Sequence, residues 1–280
     1  TVLKDASSQA IYGVKAAGGV ILVTTKKGKS GKLSFDFNHY TGFSNVEKPK
    51  ALSAADRYKY LDIASNNDDP TFVLPPESSY NQVTRTNWIN EIFRTGITQN
   101  YDIGVRGGSD KFKYSSSIGY NKKEGTLINT EATRMTFRFN SEFRVNDKLK
   151  IGENVSYTRT SGNSAFTGTT DENGTQSYNG LILQSILADP ETPVYDANGN
   201  YSDLPSVATI NPVSTLNRLD IENVTEDLFA NLYFDYNIID VLKLKSSFGI
   251  NSKTNNFKEF KPRSPERSKT TTTDNSLDFA

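Results

Sequence analysis

Apolar and polar positions alternate with a period of two in one segment after another. The clearest case runs from Arg134 to Val145. Met135, Phe137, Phe139, Phe143 and Val145 share one face, and Arg134, Thr136, Arg138, Asn140, Glu142 and Arg144 share the other. Successive side chains of a strand point to opposite faces, so each such run predicts a strand with one apolar face. The pattern recurs in Leu33, Phe35, Phe37 and Phe43, in Tyr101, Ile103 and Val105, and in Phe112, Tyr114, Ile118 and Tyr120. It recurs again in Leu149, Ile151, Val155 and Tyr157, in Leu228, Ala230, Leu232, Phe234 and Tyr236, and in Leu242, Leu244, Phe248 and Ile250. Seven strands are predicted in this way. Glu153 falls on the apolar face of its strand, which calls for either a bulge or a position beyond any apolar zone.

The links between strands carry more information than the strands. Gly107-Gly108-Ser109-Asp110, Asn146-Asp147 and Ile239-Asp240 read as tight hairpin turns. The stretches 45–97, 121–133 and 160–225 read as long loops, so short and long links alternate. A transmembrane barrel has this asymmetry, with short turns at one end and long loops at the other. A soluble sandwich has no reason to put every long loop at one end, and long structureless loops are uncommon in compact domains. Two loops carry helical signals. Ser53 can cap the run Ala54 to Ala64, and Leu181 to Leu187 is an apolar run stopped by Asp189-Pro190.

Composition narrows the chemistry. No run of about 18 apolar residues exists, so no helix spans a membrane, which leaves a β-barrel open. The formal net charge is +0, which gives no electrostatic case for nucleic acid. The 280 residues contain no cysteine and one histidine, His39, so thiolate sites are excluded and an imidazole site would rest on one residue. No catalytic, metal-binding or cofactor-binding set emerges, and the ligand-contacting residues stay unnamed. Residue 1 opens inside a patterned segment and Phe279-Ala280 ends without a stop signal, so the chain reads as a piece of a longer one.

Two motifs invite sharper readings. Gly28-Lys29-Ser30 follows a β-forming run, as in a phosphate-binding loop, but the glycine needed upstream is Val23 and a strand follows instead of a helix. Asp196-Ala197-Asn198-Gly199-Asn200 spaces oxygen ligands as a calcium loop does. Tyr201 stands where such a loop needs glycine, and no glutamate closes it, so a turn is the expected form.

The opening stretch carries a resemblance. Val2-Leu3-Lys4-Asp5-Ala6-Ser7, Ala10-Ile11-Tyr12-Gly13 and Ala16 to Gly28 resemble the end of the plug domain of TonB-dependent outer-membrane receptors of the SusC/RagA branch, found in Bacteroidetes. Val14, Lys15 and Gly18 are mild departures. Trp88 to Thr95, Tyr114 to Gly125 and Leu149 to Thr158 resemble the family's first barrel strands, and Pro190 to Tyr201 its third external loop. The resemblance implies an all-β chain, part of a transmembrane antiparallel barrel of about 22 strands with a plugged lumen. It implies that 1–28 end the plug, with Gly18 and Gly19 turning the backbone into a buried strand Val20 to Thr25. Residues 29–32 would be a linker, and 33–280 the first part of the barrel with short helices in its external loops. It further implies uptake of oligosaccharides or peptides across the outer membrane, with TonB, a SusD-like surface lipoprotein and outer-membrane lipid as partners. The alternatives read from the residues are a secreted β-sandwich that binds glycans through its loops, and a passive porin.

Overall fold

The computed structural model describes residues 2–3, 13–16, 18–21, 28, 30–68, 71, 85–164, 180–204, 210–218, 220–261 and 276–279. The strands of the main sheet are β3 (Gly31–Ser44), β4 (Gly96–Gly108), β5 (Phe112–Glu124), β6 (Glu131–Arg144), β7 (Leu149–Asn163), β8 (Asp220–Ile239), β9 (Leu242–Lys261) and the short β10 (Ser276–Phe279). Each pairs antiparallel with its neighbour in sequence, so one sheet of eight strands runs in chain order. Ahead of it, β1 (Val2–Leu3) pairs antiparallel with β2 (Val20–Ile21), and a 3₁₀ turn spans Val14–Ala16. The predicted alternation thus forms the seven long strands as expected.

The tight turns form for local reasons. Ser109 Oγ accepts from the N–H groups of Lys111 and Phe112, closing the link after β4. Asn146 Oδ1 accepts from Lys148 N at 2.9 Å and Leu149 N at 2.8 Å, closing the link after β6. Such side-chain acceptors stand in for backbone turn bonds.

Register carries the two faces across the sheet. Phe37, Ile103, Ile118, Phe137, Tyr157 and Leu228 are successive cross-strand partners in one apolar row. Asp36, Gly104, Ser117, Arg138 and Ser156 form the neighbouring row on the opposite face. No second layer covers the apolar face among the described residues: Phe35 is 71% and Phe248 68% exposed. The strands of 13 to 20 residues in β3 to β9 are far longer than the usual five or six.

The buried core lies in the loops at the long-link end. Helix α1 (Ala54–Asp68) and helix α2 (Trp88–Ile92) sit between β3 and β4, and α3 (Leu181–Leu187) and α4 (Pro212–Arg218) between β7 and β8. Trp88, Ile89, Ile92, Leu181, Val213 and Leu216 pack into one cluster. Ser53 caps α1 as expected, accepting from Asp56 N at 3.1 Å, and its hydroxyl donates to Asp56 Oδ2 at 2.7 Å.

Several expectations change. The strands outrun their apolar stripe: β5 and β6 leave only 125–130 between them, not 121–133, and β7 and β8 leave 164–219, not 160–225. The backbone ladder continues where side chains turn polar on both faces, as in Lys122↔Thr133 and Glu124↔Glu131. Glu153 marks no bulge. It pairs in unbroken register with Ser141 and Leu232, near the 145–148 turn, and accepts from Ser141 Oγ at 2.9 Å. Of the expected strand 20–25, residues 22–25 lie outside the described residues. Ile21 is 75% exposed, because β2 has one partner strand and nothing else described covers it. Gly19 takes the turning conformation (φ +102°), and Gly18 does not have a positive φ.

Candidate functional site on the polar face of the sheet

Small residues open the polar face. Gly104 stands opposite Asp36, Gly119 opposite Asp102 and Gly152 opposite Tyr233. A Cβ on Gly119 would come within 2.6 Å of Asp102 Oδ1, and one on Gly152 within 2.6 Å of Tyr233 Cε1. Each larger side chain therefore leans across its partner glycine. Gly104, Ser115 and Ser117 floor a cavity of about 360 Å³ walled by Asp36, Arg106, Arg138 and Asn140. Arg106 Nη2 lies 3.3 Å from Asp36 Oδ2, across the β3–β4 pair. Asn121 Nδ2 donates to Asn100 Oδ1 at 3.2 Å, and Asn100 Nδ2 donates to Asp102 Oδ2. The face presents fixed charges and amides.

A second cavity, of about 110 Å³, shares Asn140 with the first and is lined by Lys113, Glu142, Asn154, Tyr233 and Gly28. Tyr233 donates from its hydroxyl to Glu142 Oε2 at 3.3 Å. Gly28 sits against the β5 backbone, where a Cβ would lie within 2.6 Å of the Tyr114 carbonyl oxygen. Gly28 therefore meets the polar face and not the apolar one.

The loops at the far end form one packed body. Trp88 Nε1 donates to the Asp189 carbonyl at 2.7 Å. Arg57 Nη2 lies 2.6 Å from Asp189 Oδ1, joining α1 to the end of α3. Burial raises the Asp189 carboxyl above the usual Asp range, and Arg57 pulls it back in part. Asn211 caps α4: its Oδ1 accepts from Val213 N and Ser214 N, and its Nδ2 donates to the Val194 and Ser202 carbonyls. Asn129 (φ +56°) donates from Nδ2 to Leu216 O, and Ile128 N donates to Ile92 O, so the short 125–130 link joins the same body.

The motifs weighed from sequence fall into ordinary roles. Gly28 is followed by β3, a strand, while Lys29 and Val23 lie outside the described residues. Asp196 Oδ1 accepts from Asn198 N and Asn200 N, both at 2.8 Å, so that carboxylate closes a turn with Gly199 at φ +81°. His39 stacks on Tyr101 at 4.5 Å, and its ring nitrogens meet Asn100 O and Thr41 Oγ1. No metal-holding group of His, Cys, Asp or Glu occurs among the described residues. Sequence reasoning placed Arg138 and Asn140 on the polar face. It missed their meeting with Arg106 and Asp36, because cross-strand register decides that.

Comparison with known proteins agrees with this architecture. No family model matches the chain. It is 32% identical over 265 residues to TonB-dependent receptor P3 of Formosa agariphila, covering 93% of this chain and 25% of that receptor. It is 31% identical over 203 residues to TonB-dependent receptor SusC of Bacteroides thetaiotaomicron, covering 72% of this chain and 18% of that receptor. The RagAB peptide importer in its 'closed-closed' state is similar in fold, with a TM-score of 0.70 and 23% identity over 95% of this chain and 33% of that one. The chain thus spans about a quarter of the length of the curated relatives it matches. Its all-β sheet has the fold of part of a TonB-dependent receptor barrel, and the chain belongs to the TonB-dependent receptors of SusC type.

Proposed function

We propose that the parent protein imports nutrients, oligosaccharides or peptides, through the outer membrane as the barrel-and-plug component of a TonB-driven complex. In this reading 1–28 end the plug, 29–32 link it to the wall, and 33–280 begin the barrel. A SusD-like lipoprotein would cap the long-loop end, and TonB would act on the plug from the other side. One observation carries the reading: a single sheet has a bare apolar face and a polar face against which Gly28 packs. An apolar face of that extent needs lipid or protein over it. Lipid demands a closed sheet, because open edges are not tolerated there. The remaining strands would come from the rest of the receptor. A secreted sandwich would need a second apolar layer and gives no role to the plug-like opening.

Fractionation tests the reading. The full-length parent should be recovered in the outer membrane and migrate differently with and without heating. Recovery as a soluble, secreted protein would refute it.

A further inference from the structure

One carboxylate stands within the apolar face of the sheet. On that face β7 runs from Leu149, which pairs with Tyr236, to Arg159, which lies opposite Met135 and is ion-paired with Glu226. That length is what a tilted strand needs to cross a bilayer core. Glu153 lies four residues from Leu149, about 13 Å along the strand and about 9 Å in depth at a tilt near 45°. It is therefore inside the apolar band, on the side of the short turns. Phe143, Ile151 and Phe234 form the row between it and the turn, and Phe139 and Val155 stand in the row beyond. An ionisable side chain at that depth is costly and calls for a partner.

The chain itself satisfies little of this carboxylate. Ser141 Oγ donates to its Oε1 at 2.9 Å, while a carboxylate offers about four acceptor sites. Tyr114, in the same row, leans the other way: a Cβ on Gly107 would lie 3.3 Å from its hydroxyl. No ion pair among the described residues includes Glu153. The cation of its strand on this face, Arg159, stands six residues away with Glu226. The bilayer core holds no water to supply the missing donors. An ammonium headgroup brings three N–H donors and the opposite charge. Snorkelling and local thinning of the bilayer let headgroups reach charges at such depths. Ser141 and Ala230, the latter diagonal to Glu153, are small and leave room at its side. We propose that Glu153 and Ser141 form a lipid-facing socket for the ammonium headgroup of a phospholipid in the leaflet nearest the short turns. This inference rests on the receptor reading above.

The test uses the full-length receptor reconstituted in bilayers of phosphatidylethanolamine, phosphatidylcholine and phosphatidylglycerol. Lipids retained after mild extraction are counted by native mass spectrometry. Phosphatidylcholine carries the same positive charge without N–H donors, so it isolates the hydrogen bonds. The wild type should retain phosphatidylethanolamine over phosphatidylcholine by about tenfold or more, as one charge-assisted hydrogen bond implies. Glu153→Gln should lose that preference. Glu142→Gln, on the polar face, should keep it. Equal retention of the two lipids by the wild type would overturn the proposal, and so would a preference that survives in Glu153→Gln. A membrane protein that co-purifies from the native outer membrane with the wild type and not with Glu153→Gln, at unchanged lipid retention, would give the socket to a protein and overturn it too. If Glu153→Gln does not insert, Glu153→Leu, which suits the apolar row, is read by the same criteria. Failure of the receptor reading would look different: the wild-type parent would be absent from the outer membrane.

Discussion

Tyr233 occupies the space that a side chain at Gly152 would need. The two are direct cross-strand partners, and a Cβ on Gly152 would overlap the Tyr233 ring at Cζ and the hydroxyl. The ring thereby crosses β7 and its hydroxyl reaches Glu142 on β6, tying three strands together on the polar face. Gly152→Ala should push the ring off the wall and free Glu142. Overpacking of this kind costs about 1–3 kcal/mol. Thermal unfolding of the full-length receptor should show the loss, and adding Tyr233→Ala should cost less than the two changes summed. Strict additivity would argue against the contact.

The loop body depends on one buried charge pair. Arg57→Met leaves the Asp189 carboxylate buried without its cation, which should destabilise the loops by about 3–5 kcal/mol. Asp189→Asn should cost less, since the backbone carbonyl still accepts from Trp88. Hydrogen exchange at 85–95 and 180–204 measures both.

The same carboxyl sets a pH dependence. Burial, the larger influence, raises its folded value above the ordinary one near 3.9. A raised folded value stabilises the fold fully below the unfolded value, and that contribution is lost as pH rises through the folded one. Protection of the loops should therefore fall with rising pH across that window. The fall should steepen in Arg57→Met, where nothing opposes the burial effect.

Asn211→Ala removes a helix cap and takes the Asn211 amide from the buried Ser202 carbonyl, while the Val194 carbonyl still accepts from Ser202 N. The cap alone is worth about 0.5–2 kcal/mol, and each buried group left unsatisfied costs about 1–3 kcal/mol more. Exchange at 211–218 should accelerate together with 194–202, because Asn211 bonds to both Val194 and Ser202.

Calcium should do nothing to the 195–201 turn. Asp196 Oδ1 already accepts two backbone N–H groups. Millimolar Ca²⁺ should leave hydrogen exchange at 194–202 unchanged, and added protection there would show that an ion binds after all.

The sheet was legible in the sequence because period two survives any register. Met135, Phe137 and Phe139 read as one face whatever strand lies beside them. Strand ends were not legible, because Lys122, Lys123 and Glu124 are polar on both faces while their backbones still pair. The loop core was also hidden. Trp88 meets Asp189 across 101 residues of sequence, and no local pattern encodes that contact. Glu153 illustrates the remainder: alternation flagged it, but only the register supplied Ser141 as its partner.

The receptor reading requires one face of this sheet to meet lipid and the other a filled lumen. The 280 residues contain no cysteine, so a single introduced thiol can carry a probe in this region without background. Fluorophores at 37, 118 and 137, and at 36, 117 and 138, should be placed one at a time in the full-length receptor in bilayers containing spin-labelled lipid. Strong quenching is expected at 37, 118 and 137 and little at the adjacent positions. Equal quenching on both faces, or water accessibility at 37, 118 and 137, would contradict it.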